Sequence, residues 1–336
     1  MTLPTVPRFL PVGTLPIIAA AALVTSVATP VSAQPAAPSH SAADNVEIIA
    51  EHAEELDLSP AAENTLTDAV IDDVLAERDT ELSTLAAQER DVRVDIREAS
   101  EGSAFGVAIV TAPMGADEDP HAWLFAAEHE NSGWMVGLEG TEEFSSILAD
   151  SALLEEKERE TVAASTNPSE MAPASYIGVG LPFSIGTSMV MTGGPHGDVG
   201  QSVDFAGGAG QARAARGGYA YSLCTGWTRV IHDNGYSTDY YHLEDYQWLP
   251  GNNVGVGHYL GTQGNSLCAG GSTTGAHIHY SLRGYTDPNA PGWYLTMNGK
   301  TLGGWTFVQG AQYGGYAYRN GVGTVYPGNW MYNYGF

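Results

Sequence analysis

Ser272-Thr273-Thr274-Gly275-Ala276-His277-Ile278-His279-Tyr280-Ser281-Leu282 carries the pattern on which the fold turns. Ile278, Tyr280 and Leu282 alternate with His277, His279 and Ser281, the two-residue period of a strand. Side chains at i and i+2 leave a strand from the same face, so His277 and His279 present two imidazoles to one space. Two such rings resist double protonation and suit a cation beside them. The bland alternative is a pair of surface histidines on a polar strand face.

Two upstream segments add to this. Ser202-Val203-Asp204-Phe205 is also strand-like, and a carboxylate set between core residues needs a partner, because burying it unpaired is costly. The glycine-rich loop Gly193-Gly194-Pro195-His196-Gly197-Asp198 lets the chain fold back beside it. His196, Asp204 and His279 would then offer nitrogen, oxygen and nitrogen, leaving a fourth position open, the layout of a catalytic rather than a structural zinc site. Asp198 is a rival carboxylate, expected to face solvent. His277 would lie close enough to help move a proton, and His242, in Thr238-Asp239-Tyr240-Tyr241-His242-Leu243, could join from a neighbouring strand. By itself His242 reads as a packing histidine; His232 and His258 read as structural or surface residues.

The chain has 336 residues and is 43% hydrophobic, enough for a packed core. Thirteen basic residues against 39 acidic ones argue against a nucleic-acid partner, whose phosphates are bound by lysine and arginine. Two cysteines are too few for a four-cysteine zinc site. In an exported chain Cys224 and Cys268 read as one disulfide, and neither sits in a pattern that favours thiolate ligation. The charge is uneven: residues 1–171 hold seven basic and 32 acidic side chains, residues 172–336 six and seven. All 17 tyrosines and 34 of the 41 glycines lie in the second part, so the composition changes within the linker-like stretch 161–175.

Arg8, the apolar run from Leu15 to Val24 and the small-residue site Val31-Ser32-Ala33 have the order of a secretory signal, with cleavage expected after Ala33. The run is short and broken by Pro16 and Pro30, so a membrane anchor is not expected, and no later segment reads as a span. In the acidic half, residues 44–98 read as helices, with Ser59-Pro60 as cap and first turn. Residues 105–110 and 122–125 read as short strands, Asn131-Ser132-Gly133 as a turn between strands, and 141–160 as helix again. His52, His121 and His129 read as scattered surface residues. The expected organisation is a signal peptide over 1–33, an acidic α/β pro-segment over 34–171 and a mainly-β catalytic domain over 172–336. A permanent acidic domain is the alternative to a pro-segment.

Taken together, these segments resemble the secreted zinc metallopeptidases of the lysostaphin type, especially the branch containing staphylolysin and β-lytic endopeptidase. Gly194-Pro195-His196 with Ser202-Val203-Asp204, the run Tyr240-Tyr241-His242, and Cys268 followed by Gly-Gly-Ser-Thr-Thr-Gly-Ala-His-Ile-His carry the resemblance, which covers about residues 176–336. It implies one zinc ion on His196, Asp204 and His279, catalytic histidines at 242 and 277, and an oxyanion-stabilising tyrosine best matched by Tyr313, with Tyr316 and Tyr318 competing. It further implies an antiparallel sheet with loops walling a groove, cleavage of peptidoglycan cross-bridge peptides often next to glycine, secretion, and synthesis as a precursor. On this reading the chain's own pro-segment is an intramolecular inhibitor and the enzyme a monomer. Two departures stand out: a shorter loop between His196 and Asp204, and no cysteines for a second disulfide. A non-catalytic wall-binding or hydrolase-activating module is the competing function.

Overall fold

A computed structural model describes residues 46–48, 56–100, 102–167, 177–285 and 293–336. The expected signal peptide, His52 and the expected boundary at 171/172 lie outside these residues. The acidic half begins with β1 (Val46–Ile48), α1 (Pro60–Glu77), α2 (Leu82–Ala87) and β2 (Val92–Ser100). Ser59 caps α1 as its sequence suggests: its hydroxyl accepts from the Ala62 amide at 3.2 Å, with Pro60 in the first turn. The helical reading of 44–98 fails at both ends, where β1 and β2 are strands. Val92, Val94 and Ile96 alternate with Arg93, Asp95 and Arg97, and their apolar side packs beneath Leu66, Val70 and Val74 of α1. That two-residue period outweighs the helical spacing of the preceding segment.

The half continues through β3 (Ser103–Val110), β4 (His121–Glu130), β5 (Gly133–Leu138), α3 (Glu142–Asp150) and α4 (Glu156–Thr166). The strands form a sheet in chain order, parallel only between β1 and β2. Both faces of this sheet are covered. Trp123 and Phe125 join the core under α1, while Phe105, Val107 and Leu124 point the other way, toward the glycine-rich half. Double coverage explains why 104–110 is a continuous apolar run rather than an alternating one.

The glycine-rich half contributes β6 (Ser188–His196), β7 (Ser202–Ala206), β8 (Gln211–Arg213), β9 (Gly218–Cys224), β10 (Trp227–His232), β11 (Tyr236–Tyr241), β12 (Pro250–Val254), β13 (Tyr259–Thr262) and β14 (Ile278–Gly284). Short strands complete it: β15 (Trp293–Tyr294), β16 (Thr301–Leu302), β17 (Trp305–Val308), β18 (Tyr316–Arg319), β19 (Gly323–Val325) and β20 (Asn329–Tyr332). Its central sheet runs β12-β9-β10-β11-β14-β7-β6-β20, with β15 beside β14, and every pairing is antiparallel, as expected for the mainly-β part.

Strand alternation gives this sheet two unlike faces. Val203, Phe205, Val230, Tyr240, Ile278, Tyr280 and Leu282 form one apolar core with Leu181, Phe183 and Phe307. Their sequence neighbours turn the opposite way, where Tyr221, Trp227, Ile231 and Tyr241 meet Phe105, Leu124, Phe144 and Ile147 of the acidic half. Within this contact Arg229, fully buried, donates to both carboxylate oxygens of Asp239 at 2.7 Å and to Glu139 of the acidic half at 2.6 Å. The expected disulfide joins Cys224 to Cys268. Among the described residues no helix is long and apolar enough to cross a membrane.

Candidate metal centre

The residues that matter sit on the face turned toward the acidic half. His279 on β14 is in direct register with Asp204 on β7 and with Tyr241 on β11. His196 ends β6, and irregular pairing with β7 around Gly193 brings it alongside. His196 Nε2 lies 3.3 Å from His279 Nδ1 and 3.5 Å from Asp204 Oδ1, and His279 Nδ1 lies 3.2 Å from the same oxygen. A tetrahedral ion with bonds of about 2.0–2.2 Å has donor-to-donor edges of about 3.4 Å, so these three atoms have the spacing to hold one. All three residues are buried, and the donor set is nitrogen and oxygen.

The surrounding hydrogen bonds fix which ring nitrogen faces the cluster. His196 Nδ1 lies 2.8 Å from the Gly194 carbonyl, so it carries the proton and leaves Nε2 as the donor. His242 is held likewise through Nδ1 by the Ser266 carbonyl at 2.8 Å, and His277 by the Gly275 carbonyl at 2.7 Å. Both therefore keep Nε2 free, and His277 Nε2 is 3.5 Å from Asp204 Oδ1. His242, His277 and His279 form a second group whose nitrogens lie within 4.8 Å of one another.

The electrostatics follow from burial and proximity. Burial, reinforced by the imidazoles of His279 and His277, pushes His242 down to about 3, so it is neutral at neutral pH. Burial likewise lowers His196. Burial works against the charge on Asp204, yet His196, His279 and His277 hold it well below the usual carboxylate range. For His279, the Asp119 and Asp204 carboxylates outweigh burial and push it up to about 9.

Tyr313 lies in the same groove, its ring stacked on His196 with centroids 4.1 Å apart. Two glycines make this possible. A Cβ at Gly194 would meet the Gly314 carbonyl at 1.9 Å, and one at Gly193 would meet Asp204 at 2.6 Å and Tyr313 at 3.0 Å. Tyr313 and His242 both adopt left-handed backbone, with φ of 61° and 67°, a conformation non-glycine residues take at some cost. Tyr316 and Tyr318 lie on β18 and border a different cavity.

The groove has a volume of about 620 Å³, and the acidic half forms part of its wall. Residues 111–120 cross it as a strap. The Ala112 amide donates to the Ala269 carbonyl and the Gly115 amide to the Gly271 carbonyl, both at 2.8 Å. The Tyr313 hydroxyl donates to Asp117, and Asp119 Oδ1 lies 3.5 Å from His279 Nε2. Sequence reading missed Asp117 and Asp119, since a short acidic run between two strands reads as a solvated loop. His121 also departs from expectation. It is buried, packs against Trp123 and Tyr294, and its Nε2 lies 3.4 Å from Asp198, which is largely exposed as foreseen. His232 is structural, bonded to the Gly217 carbonyl and to Thr238, and His258 pairs with Gln247 at the surface.

No protein-family profile matches the chain. The β-lytic metalloendopeptidase of Lysobacter enzymogenes is 33% identical over 144 residues, which are 37% of this chain and 76% of that protein. The chain belongs to the lysostaphin-type metallopeptidase family. Another lysostaphin-type relative, protease LasA of Pseudomonas aeruginosa, is 35% identical over 115 residues. That match is 33% of this chain and 23% of LasA, so the chain spans less than a quarter of that relative's length. Pseudoalterin, a metalloprotease from the deep sea, is 27% identical over 46% of this chain and 97% of its own, with a TM-score of 0.41.

Proposed function

We propose that this lysostaphin-type chain is a secreted zinc metalloendopeptidase that hydrolyses peptide bonds in bacterial peptidoglycan cross-bridges, including glycine-containing ones. On this reading it is a monomer made as a latent precursor, with 1–33 a signal peptide, 34–171 an inhibitory pro-segment and 172–336 the catalytic part. The observation that carries the reading is the convergence of His196, Asp204 and His279 at zinc-like spacing beside two imidazoles with free Nε2 atoms. A nitrogen–oxygen–nitrogen donor set suits zinc.

An ion on those three residues would polarise the scissile carbonyl and acidify water at the groove. The protein's own groups complete the chemistry. His242 and His277, each anchored through Nδ1 by a main-chain carbonyl, offer Nε2 to orient the attacking water and receive its proton. Burial and Asp117 hold the Tyr313 phenol protonated, so once free it donates to the developing oxyanion. In the full chain that hydroxyl is engaged by Asp117, and the strap runs through the groove, which supports latency.

Release of amines from purified bacterial walls tests the reading. Chain cleaved within 168–176 should digest them, with activity lost to a chelator and in His279→Ala, whereas the uncleaved chain should be slow. Digestion that survives chelation would overturn the metallopeptidase assignment. Equal rates before and after cleavage would overturn latency alone.

A further inference from the structure

The four imidazoles of the groove are not secured alike. His196, His242 and His277 each place one ring nitrogen on a main-chain carbonyl of the glycine-rich half, at 2.8, 2.8 and 2.7 Å. His279 differs. Its Nδ1 faces Asp204 and His196, and its outer nitrogen, Nε2, faces a side chain of the acidic half, Asp119, at 3.5 Å. That carboxylate is itself held: the Gln201 amide donates to Asp119 Oδ2 at 2.6 Å. Gln201 is fully buried, and its own oxygen accepts from the Val199 amide at 3.0 Å. The strap that carries Asp119 is fixed in turn by the main-chain pairing of 112–115 with 269–271, where Gly270 has no side chain to block the Ala112 carbonyl.

A histidine that ligates through one nitrogen is oriented by what its other nitrogen bonds, and a carboxylate there also raises its basicity. We propose that Asp119 is the positioning residue for the metal ligand His279, so that the metal site of the full chain is assembled from both halves. The proposal deepens the peptidase reading and rests on it.

The test is zinc affinity of the intact chain, measured by competition with a chromophoric chelator and checked by the visible absorption of the cobalt(II)-loaded protein. Asp119→Ala should weaken zinc binding about 10–100-fold and alter the cobalt spectrum, the usual cost of losing an outer partner of a ligand. Asp119→Asn, which keeps an acceptor oxygen, should fall between the two and guards against misfolding of the alanine variant. Asp117→Ala, which loosens the strap at Tyr313 instead, should stay within about twofold of the parent. Parent-like affinity in Asp119→Ala would overturn the proposal and leave the peptidase reading intact. So would an equal loss in Asp117→Ala, since a slack strap would then account for the effect. A parent chain that binds no zinc would sink both.

Discussion

The two faces of the nine-stranded sheet are made by the same strands and have opposite characters. On β14, Ile278, Tyr280 and Leu282 enter an apolar core, while His279 lies on the other face; on β7, Val203 and Phe205 do the first and Asp204 the second. One face therefore enters the apolar core of the glycine-rich half and the other carries the proposed metal ligands, which are in turn roofed by the acidic half. A single-residue slip of β14 would exchange the two roles completely. The position of the site is thus guaranteed by the hydrophobic pattern rather than by the histidines themselves.

Substitutions on the two faces should accordingly separate activity from stability. The largest effect is expected for His279→Ala: hydrolysis by the cleaved chain should fall by about 10⁴-fold, equivalent to about 5.5 kcal/mol, with little change in melting temperature. A matching loss of stability would mean that the reactive face also carries the fold. Phe205→Ala, on the opposite face, should do the reverse and cost about 3–5 kcal/mol of unfolding free energy, read by denaturant titration, with residual activity preserved in the folded fraction. Tyr313→Phe should lower kcat by about 10²–10³-fold and leave stability and metal content unchanged, as measured on cell walls with the cleaved chain.

The smallest effect concerns the covered face. Tyr221 donates to Glu158 of α4 at 2.8 Å, and burial, opposed by that bond but aided by Glu98 and Glu155, raises Glu158 to about 7. The folded chain therefore holds this proton more tightly than the unfolded one. The stabilisation is complete below about pH 4.5 and is lost as pH rises through about 7. Glu158→Gln should leave stability at pH 4 unaltered and raise it at pH 8 by on the order of 2 kcal/mol. Identical pH profiles for parent and variant would show that this contact does not titrate.

The strands that carry Asp204 and His279 can be read directly from the sequence, because a two-residue period is a local signal and each lies within one short segment. Their convergence follows from the need to pair a carboxylate set among Val203 and Phe205. The Cys224–Cys268 bridge and the Ser59 cap were equally accessible. Asp117 and Asp119 were not, since their partners lie 196 residues away at Tyr313 and 160 away at His279, and nothing near Asp117-Glu118-Asp119 distinguishes a docked carboxylate from a hydrated one. His121 was misread for the same reason: its burial depends on Tyr294 and Asp198, contacts that only the tertiary structure creates. β2 is a different case. The alternation of Val92, Val94 and Ile96 with Arg93, Asp95 and Arg97 is legible in the sequence, and the helical spacing of Leu66 to Leu75 does not extend to it.

The knot around Arg229 is lopsided in a way that matters if the two halves separate. Arg229 keeps both oxygens of Asp239 on the adjacent strand, whereas its second carboxylate partner, Glu139, departs with the other half. The surface left behind keeps the Arg229–Asp239 pair intact and can be wetted without stranding that guanidinium. The detached piece takes away a carboxylate that has lost its guanidinium and the Tyr285 hydroxyl and keeps only the Leu124 amide. Parting at this seam leaves one side self-sufficient and the other in want.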